Sequence, residues 1–447
     1  MATQSQHQRS TPKTQGSQRR RVAIVAGLRT PFVKASGVFK KLTATELATQ
    51  CVTELIARTG IDVNVIERLV YGQVVSHPSI PNIAREVGMA AHLPMSLDAY
   101  SVSRACATST QAIVDGAMAI LTGDINVALV GGVDCLSRPP MTYSEGFVEA
   151  MMAANGAKDT MGKLRSLSRI RPKDLMPVPP ALKEPSTGLT MGQSAEKMAK
   201  DNGISRADQD ALALRSHQRA AVAWQKGILA QEVMHLRLPP DYGVTVAEDN
   251  MVRADTSLDR LGKLKPVFDR THGSITAGNA SPLTDGASAL LLMEESTAKA
   301  LGFKPLAFVK SWGFAAVDPN WQLLAAPAIA IPRALKAAGT TLGDIDIVDM
   351  HEAFAAQVLS NLKALASAEW QKEHAGFAHA AGTVPLDRLN IYGGSIALGH
   401  PFAATGARQA LTMAHELHRR GQPGQALISQ CTAGGLGAAL ILEAAHS

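Results

Sequence analysis

Two glycine-rich stretches near the C-terminus carry groups that can do chemistry. NIYGGSIALGHPFAATGAR (390–408) holds His400, and QCTAGGLGAAL (430–440) holds Cys431. Far upstream, SVSRACATSTQA (101–112) holds Cys106. Glycine lets the backbone approach a substrate closely and lets main-chain N–H groups face a developing negative charge. A nucleophilic thiol, an imidazole base and a second thiol able to move a proton suggest chemistry on a thioester. Cys106 falls where a helix begins, and a helix N-terminus favours a thiolate; the alternative is a small buried structural cysteine. Pro401 fixes the chain after His400, with Gly393, Gly394 and Gly399 before it. HEAFAAQ (351–357) adds the pair His351 and Glu352 at the C-terminal end of a strand-like DIDIVDM, a common place for a site in α/β folds. Its lack of a second histidine removes the zinc-protease pattern. TAGNASPLTDGAS (276–288) is a polar loop suited to an amide-bearing ligand arm, or an ordinary connection. Cys51 and Cys135 lie in apolar settings and read as structural.

The elements that must position these groups alternate. RVAIVAGLRTPF (21–32) starts as a strand, TATELATQCVTELIARTG (43–60) has helical spacing, and IERLVYGQVV (66–75) reads as a helix end passing into a strand. STQAIVDGAMAILTGD (109–124) is a small-residue helix and NVALVGGVD (126–134) a buried strand. From 138 to 276, clustered prolines and charged helices such as SRADQDALALRSHQRAAVAWQKG (205–227) predict an inserted, mostly helical domain. ALLLMEE (289–295) returns as a strand. From 297 the alternation resumes and echoes the first half: the His400 turn precedes the helix ARQALTMAHELHRRG and the strand QALISQC. The spacing predicts a duplicated α/β unit whose reactive groups meet at the junction of its halves. The expected division is a disordered basic tail (1–20), an N-terminal half (21–137 and 277–296), the insert (138–276) and a C-terminal half (297–447).

Composition excludes several classes. The 447 residues carry a net charge of +6, but nine basic residues precede the first acidic one, Glu46; without them 35 basic residues face 38 acidic ones. The basic balance therefore does not argue for nucleic-acid binding. Four cysteines with no CxxC pair are not a disulfide framework, and their spacing points away from a zinc site, which suits a reducing compartment. No apolar run reaches the roughly 20 residues that span a bilayer. The first 20 residues lack the apolar core of a secretory signal. A bacterial cytoplasmic location is expected, with a mitochondrial one as the alternative. No phosphate-binding glycine loop supports a nucleotide enzyme.

Taken together, SRACATS, GGVD, TAGNASPLTDGA, HEAFAAQ, GGSIALGHPFAATGAR and CTAGGLGAAL resemble the thiolase family, in the family's order, over residues 21–446. LMPVPP (175–180), the histidine of HEAFA and GHPFAATGAR most resemble the β-subunit type of the bacterial fatty-acid oxidation complex. The resemblance implies an α/β thiolase fold: two βαβαβαββ halves in five layers, αβαβα, with an inserted loop domain that binds CoA, and a homodimer core. It implies cleavage of 3-ketoacyl-CoA by CoA to acetyl-CoA and a shortened acyl-CoA, with no metal or redox cofactor. It implies Cys106 as acyl acceptor, His400 as its base, and Cys431 as acid/base at the α-carbon. One oxyanion hole would be the N–H groups of Cys106 and Ala433; the other would be His400 and a water near His351. Ser281 would touch pantetheine, and Met191 and Gly192 would line the acyl end. Most thiolases carry Asn where this chain has His351, and many carry His where Thr190 stands. The implied partner is an α-subunit with hydratase and 3-hydroxyacyl-CoA dehydrogenase activities, with at most peripheral membrane contact.

Two other readings compete: a condensing enzyme acting on acyl-carrier protein, and a non-catalytic thiolase-like lipid-binding protein. Cys431 in its CTAGGLG setting argues against the first, and the presence of both thiols with His400 against the second. In the insert, GKLRSLSRIRPKDL (162–175) sets Leu164, Leu167 and Ile170 beside Lys163, Arg165, Arg169, Arg171 and Lys173. A helix there would carry an apolar stripe along a basic face, suited to the α-subunit, to anionic lipid or to CoA phosphates.

Overall fold

The structure is a computed structural model that describes residues 20–178, 180 and 183–445. The expected tail, Arg20 apart, lies outside these residues. The first half runs β1 (Val22–Arg29), β2 (Val33–Lys34), α1 (Ala44–Thr59), β3 (Arg68–Gly72), α2 (Ile83–Ala90), β4 (Asp98–Val102), α3 (Thr108–Thr122) and β5 (Val127–Asp134). Local signals set the ends. Thr43 and Glu46 form a capping box on α1, and Gly60 closes it in the left-handed conformation. The strand after Ile66 is preceded by a single 3-10 turn at Val63–Val65 rather than by the end of an α-helix.

After β5 the chain leaves the sheet. It forms α4 (Glu145–Gly156), α5 (Thr160–Leu167), α6 (Met191–Asp201), α7 (Arg206–Gln225), a small hairpin of β6 (Leu236–Arg237) and β7 (Thr245–Val246), and α8 (Leu258–Gly262). It returns as β8 (Thr284–Glu294), antiparallel to both β5 and β1. The basic stripe is shorter than its spacing predicts. α5 ends at Leu167 and Pro172 starts a separate 3-10 turn, so Ile170 lies off the helix.

The second half follows as α9 (Glu295–Ala300), β9 (Ala307–Ala316), α10 (Pro319–Gln322), α11 (Pro327–Ala338), β10 (Ile347–Met350), α12 (Ala355–Ala366), α13 (Ala368–Trp370), α14 (Ser395–Leu398), α15 (Thr405–Arg420), β11 (Gln425–Thr432) and β12 (Leu436–Ala444). The duplication is explicit in the sheet. The order β1-β8-β5-β3 matches β9-β12-β11-β10, and each corresponding pair has the same sense. The halves join edge to edge where β1 pairs β9 over three residues, Val22–Ile24.

Three apolar cores separate the layers. One packs α1 and α2 on the first half's strands. A second packs α3 and α15 between strands of both halves. A third packs α11 and α12 on the second half's strands. This is an αβαβα stack, and it explains why β5 and β8 are buried at every residue: helices cover both faces. In the middle layer the two helices meet at their N-termini. A Cβ at Gly406 would stand 2.1 Å from Thr110 Oγ1, so only glycine allows this approach. The Ala407 N–H donates to Ser109 Oγ (2.8 Å) across the contact.

Candidate active site

The meeting of α3 with α15 brings their preceding turns together. Cys106 enters α3 through Ala105, a non-glycine residue at φ 43°. Such a conformation costs roughly 1–2 kcal/mol. Thr108 holds it: its hydroxyl donates to Ala105 O (2.7 Å) and accepts from the Arg104 N–H (2.8 Å). On the other side, Gly399 at φ 102° turns the chain into His400. His400 Nδ1 lies 2.7 Å from Thr405 Oγ1, whose own hydrogen is directed to Pro401 O (3.2 Å). The hydroxyl is thus the acceptor, Nδ1 carries the proton, and Nε2 presents a lone pair.

His351 continues the β10–β11 ladder, with its N–H donating to Ser429 O (2.8 Å), and its Nδ1 is held by Ser395 Oγ at 2.7 Å. Its ring lies 4.1 Å from that of His400, centroid to centroid. One donor atom from each of Cys106, His351 and His400 lies within 4.8 Å of the other two. Both imidazoles are buried, and neither Nε2 has a hydrogen-bond partner.

Cys431, next to last in β11, is buried and close enough to Cys106 for that thiol to oppose its ionisation. The turn after it, Ala433–Gly435, turns the Ala433 N–H toward the Cys106 sulfur. Cys51 and Cys135 are buried elsewhere, their thiols donating to Leu28 O and Leu42 O.

The electrostatics correct one expectation. The helix start does not prevail at the Cys106 thiol in the resting site. Burial pushes it up to about 12, and the Ala433 N–H offsets only part of that. Burial also pushes His400 down to about 3, with a smaller contribution from the Arg408 guanidinium. His351 falls well below the usual range through burial, then His400 and Arg408. At neutral pH all three groups are uncharged, so thiol deprotonation must accompany attack.

The remaining candidates surround this centre. Met191 packs in the apolar cluster that contains Cys431, and Gly192 lies against the ring of Phe268, which meets Phe354 edge-on. The Ser281 N–H donates to Ala353 O (2.9 Å), holding the 276–283 loop against HEAFA. Beside that loop opens a cleft of about 310 Å³, lined by His217, Arg253, Arg260, Ala277, Gly278 and Pro282.

Four residues support this centre, and the sequence pointed to one of them, Glu352 of the His–Glu pair. Glu352 accepts from Ser216 Oγ (2.6 Å), Asn390 Nδ2 (2.6 Å) and the Ile396 N–H (3.2 Å), which shapes the loop bearing Ser395. Asp134 accepts from the N–H groups of Val75 (2.9 Å) and Ala403 (2.8 Å); burial pushes its carboxyl up to about 7. Arg408 pairs with Asp349 at 2.6 Å, both buried. Glu184, from the insert, accepts from the Gly434 N–H at 2.8 Å. The GGVD and HEAFA strings contain two of these acids; the partners of all four lie far away in sequence.

Known proteins place this geometry. Residues 22–296 match the thiolase N-terminal domain and residues 303–444 the thiolase C-terminal domain. The chain is 52% identical over 423 residues to a 3-ketoacyl-CoA thiolase of Serratia proteamaculans, covering 95% of this chain and 97% of that one. It is 51% identical to a Yersinia pestis 3-ketoacyl-CoA thiolase with the same coverage. Its fold is similar to Bacillus anthracis acetyl-CoA acetyltransferase (TM-score 0.81, 31% identity, 95% of this chain and 99% of that one). It is also similar to human mitochondrial 3-ketoacyl-CoA thiolase in complex with CoA (TM-score 0.79, 30% identity, 95% and 98%). With its two matched domains, its doubled sheet and its thiols gathered at the junction, the chain belongs to the thiolase family of acyltransferases.

Proposed function

We propose that this chain is a 3-ketoacyl-CoA thiolase of fatty-acid degradation, working through an acyl-enzyme on Cys106. The observation that carries the reading is the convergence of Cys106, His351 and His400 within 4.8 Å, with Cys431 beside them. The steps balance without a redox group. His400 Nε2 takes the Cys106 proton as sulfur attacks the ketone carbon. The C2–C3 bond breaks, its electrons pass to the acetyl-CoA enolate, and Cys431 protonates the enolate carbon. Acetyl-CoA leaves, and the His400 proton restores Cys431. Neutral His400 then takes the proton of an incoming CoA thiol, whose sulfur attacks the acyl group, and returns that proton to Cys106 as it departs. Splitting the reaction lowers each barrier, and donors at both carbonyl oxygens stabilise the charge. The N–H groups of Cys106 and Ala433 would serve one oxygen, and His400 with a His351-held water the other. Arg253 and Arg260 beside the Ser281 loop suit the phosphates of CoA.

Thiolysis of acetoacetyl-CoA and of a long-chain 3-ketoacyl-CoA tests this directly, with radiolabelled acyl-CoA trapped on Cys106. Labelling that persists in Cys106→Ala would overturn the assignment. A condensing enzyme would instead require acyl-carrier protein.

The reading includes a homodimer and an α-subunit partner. Support for a partner lies on the insert, where Val148, Met151 and Met152 of α4 and Met161, Leu164 and Leu167 of α5 are exposed near Arg165 and Arg169. Reversing Arg165, Arg169 and Arg171 to Glu should weaken α-subunit co-purification and spare thiolysis of free acetoacetyl-CoA. A raised KM for CoA with untouched co-purification would assign the basic residues to substrate.

A further inference from the structure

We propose that Cys106, His351 and His400 also form a three-ligand site for a soft divalent cation, Zn²⁺ above all, whose binding silences the nucleophile. The inference rests on these side chains and not on the identity of the acyl substrate. Thiolate and imidazole are the donors Zn²⁺ prefers, and three protein ligands leave one position open. Here the three donor atoms lie within 4.8 Å of one another. Tetrahedral zinc sets nitrogen and sulfur ligands roughly 3.3–3.7 Å apart, so side-chain shifts of about 1 Å would close the set.

The surroundings resemble those of built metal sites. Each Nδ1 is anchored by a hydroxyl, Ser395 for His351 and Thr405 for His400, at 2.7 Å. Such contacts fix ring orientation around a metal. Each Nε2 is buried and without a hydrogen-bond partner. Among nearby charges, Arg408 is tied to Asp349, and the Asp134 carboxylate lies close enough to act on the Cys106 thiol. Binding exchanges the S–H bond for a Zn–S bond and releases one proton to solvent; nothing is oxidised. An asparagine at position 351 would leave only one thiolate and one imidazole, so the site depends on the histidine this chain carries there.

Titration of the full-length protein with Zn²⁺ against a chromophoric chelator should show one tight equivalent per chain. Co²⁺ in its place should give a thiolate-to-metal charge-transfer band, which reports sulfur ligation without any variant. One equivalent of Zn²⁺ should stop alkylation of Cys106 by iodoacetamide, and EDTA should restore it. Cys106→Ala should remove the band, and His351→Asn should weaken Zn²⁺ binding at least about tenfold, the lower end of losses seen when metal sites are disturbed. No stoichiometric binding, a Co²⁺ complex without the charge-transfer band, or unchanged affinity in His351→Asn would each overturn the proposal.

Discussion

Cys431 and Cys106 are both thiols and both buried, yet only their neighbours distinguish their tasks. Cys106 has a neutral imidazole within reach and an N–H directed at its sulfur. Cys431 belongs to the apolar cluster of Ala353, Phe354 and Met191, where burial holds its proton firmly. A thiol that stays protonated at rest has a proton to deliver to a carbanion-like carbon. Cys431→Ala should therefore leave Cys106 open to iodoacetamide while turnover falls at least about a hundredfold, the usual scale for a positioned acid/base. Turnover within a factor of two of wild type would return Cys431 to a structural role. His400 and Cys431 were legible from the glycines and proline around them, and Cys106 from the helix that begins at it. Glu184, Asp134 and Arg408 were not, since a lone Asp, Glu or Arg reads as solvated surface until the fold supplies partners, here as far apart as Glu184 and Gly434.

At the level of elements, legibility followed period. α1, α3 and α15 show regular apolar spacing, and β5 is a continuous apolar run. β8 reads as a strand only from Ala289, whereas it starts at Thr284, because TDGAS looks like a loop until both faces are seen to be covered. The α5 stripe failed the other way: favourable spacing continued past Leu167, where a turn at Ser168–Arg169 ends the helix before Pro172. The most consequential local element is the loop 183–190. Glu184 accepts from Gly434, Lys183 bridges Thr190, and Thr190 caps α6. One short segment of the insert therefore steadies the turn that aims the Ala433 N–H. Glu184→Ala should lower kcat by roughly tenfold to a hundredfold, the cost of a misplaced oxyanion donor, with KM for CoA within about twofold. Glu184→Gln, which keeps an acceptor oxygen, should recover most of it. A loss confined to KM would make Glu184 a binding residue instead.

At the scale of the whole molecule, one buried cation ties the insert to both halves. Arg29 at the end of β1 bonds Glu232 (2.7 Å) and, through both terminal nitrogens, Asp249 (2.7 and 2.9 Å); Glu232 in turn accepts from Thr412 of α15 (2.8 Å). Removing the guanidinium strands two carboxylates in the interior. Arg29→Ala should cost about 3–5 kcal/mol of unfolding free energy, the range for a broken buried pair, measured by urea titration. A loss below about 1 kcal/mol would mean that water replaces the side chain without penalty.

The doubled sheet has a further consequence. Cys106 stands before the middle-layer helix of one half, and His400 before its counterpart in the other. Neither repeat owns a complete set of reactive groups, and their sheets share only three paired residues at the seam. Turnover is thus a gauge of docking. A slip of about 1 Å between the repeats would leave each folded by every bulk measure and still separate base from nucleophile. Inactive chains of normal helicity are then the expected signature of faults at Gly406, where the two helices touch.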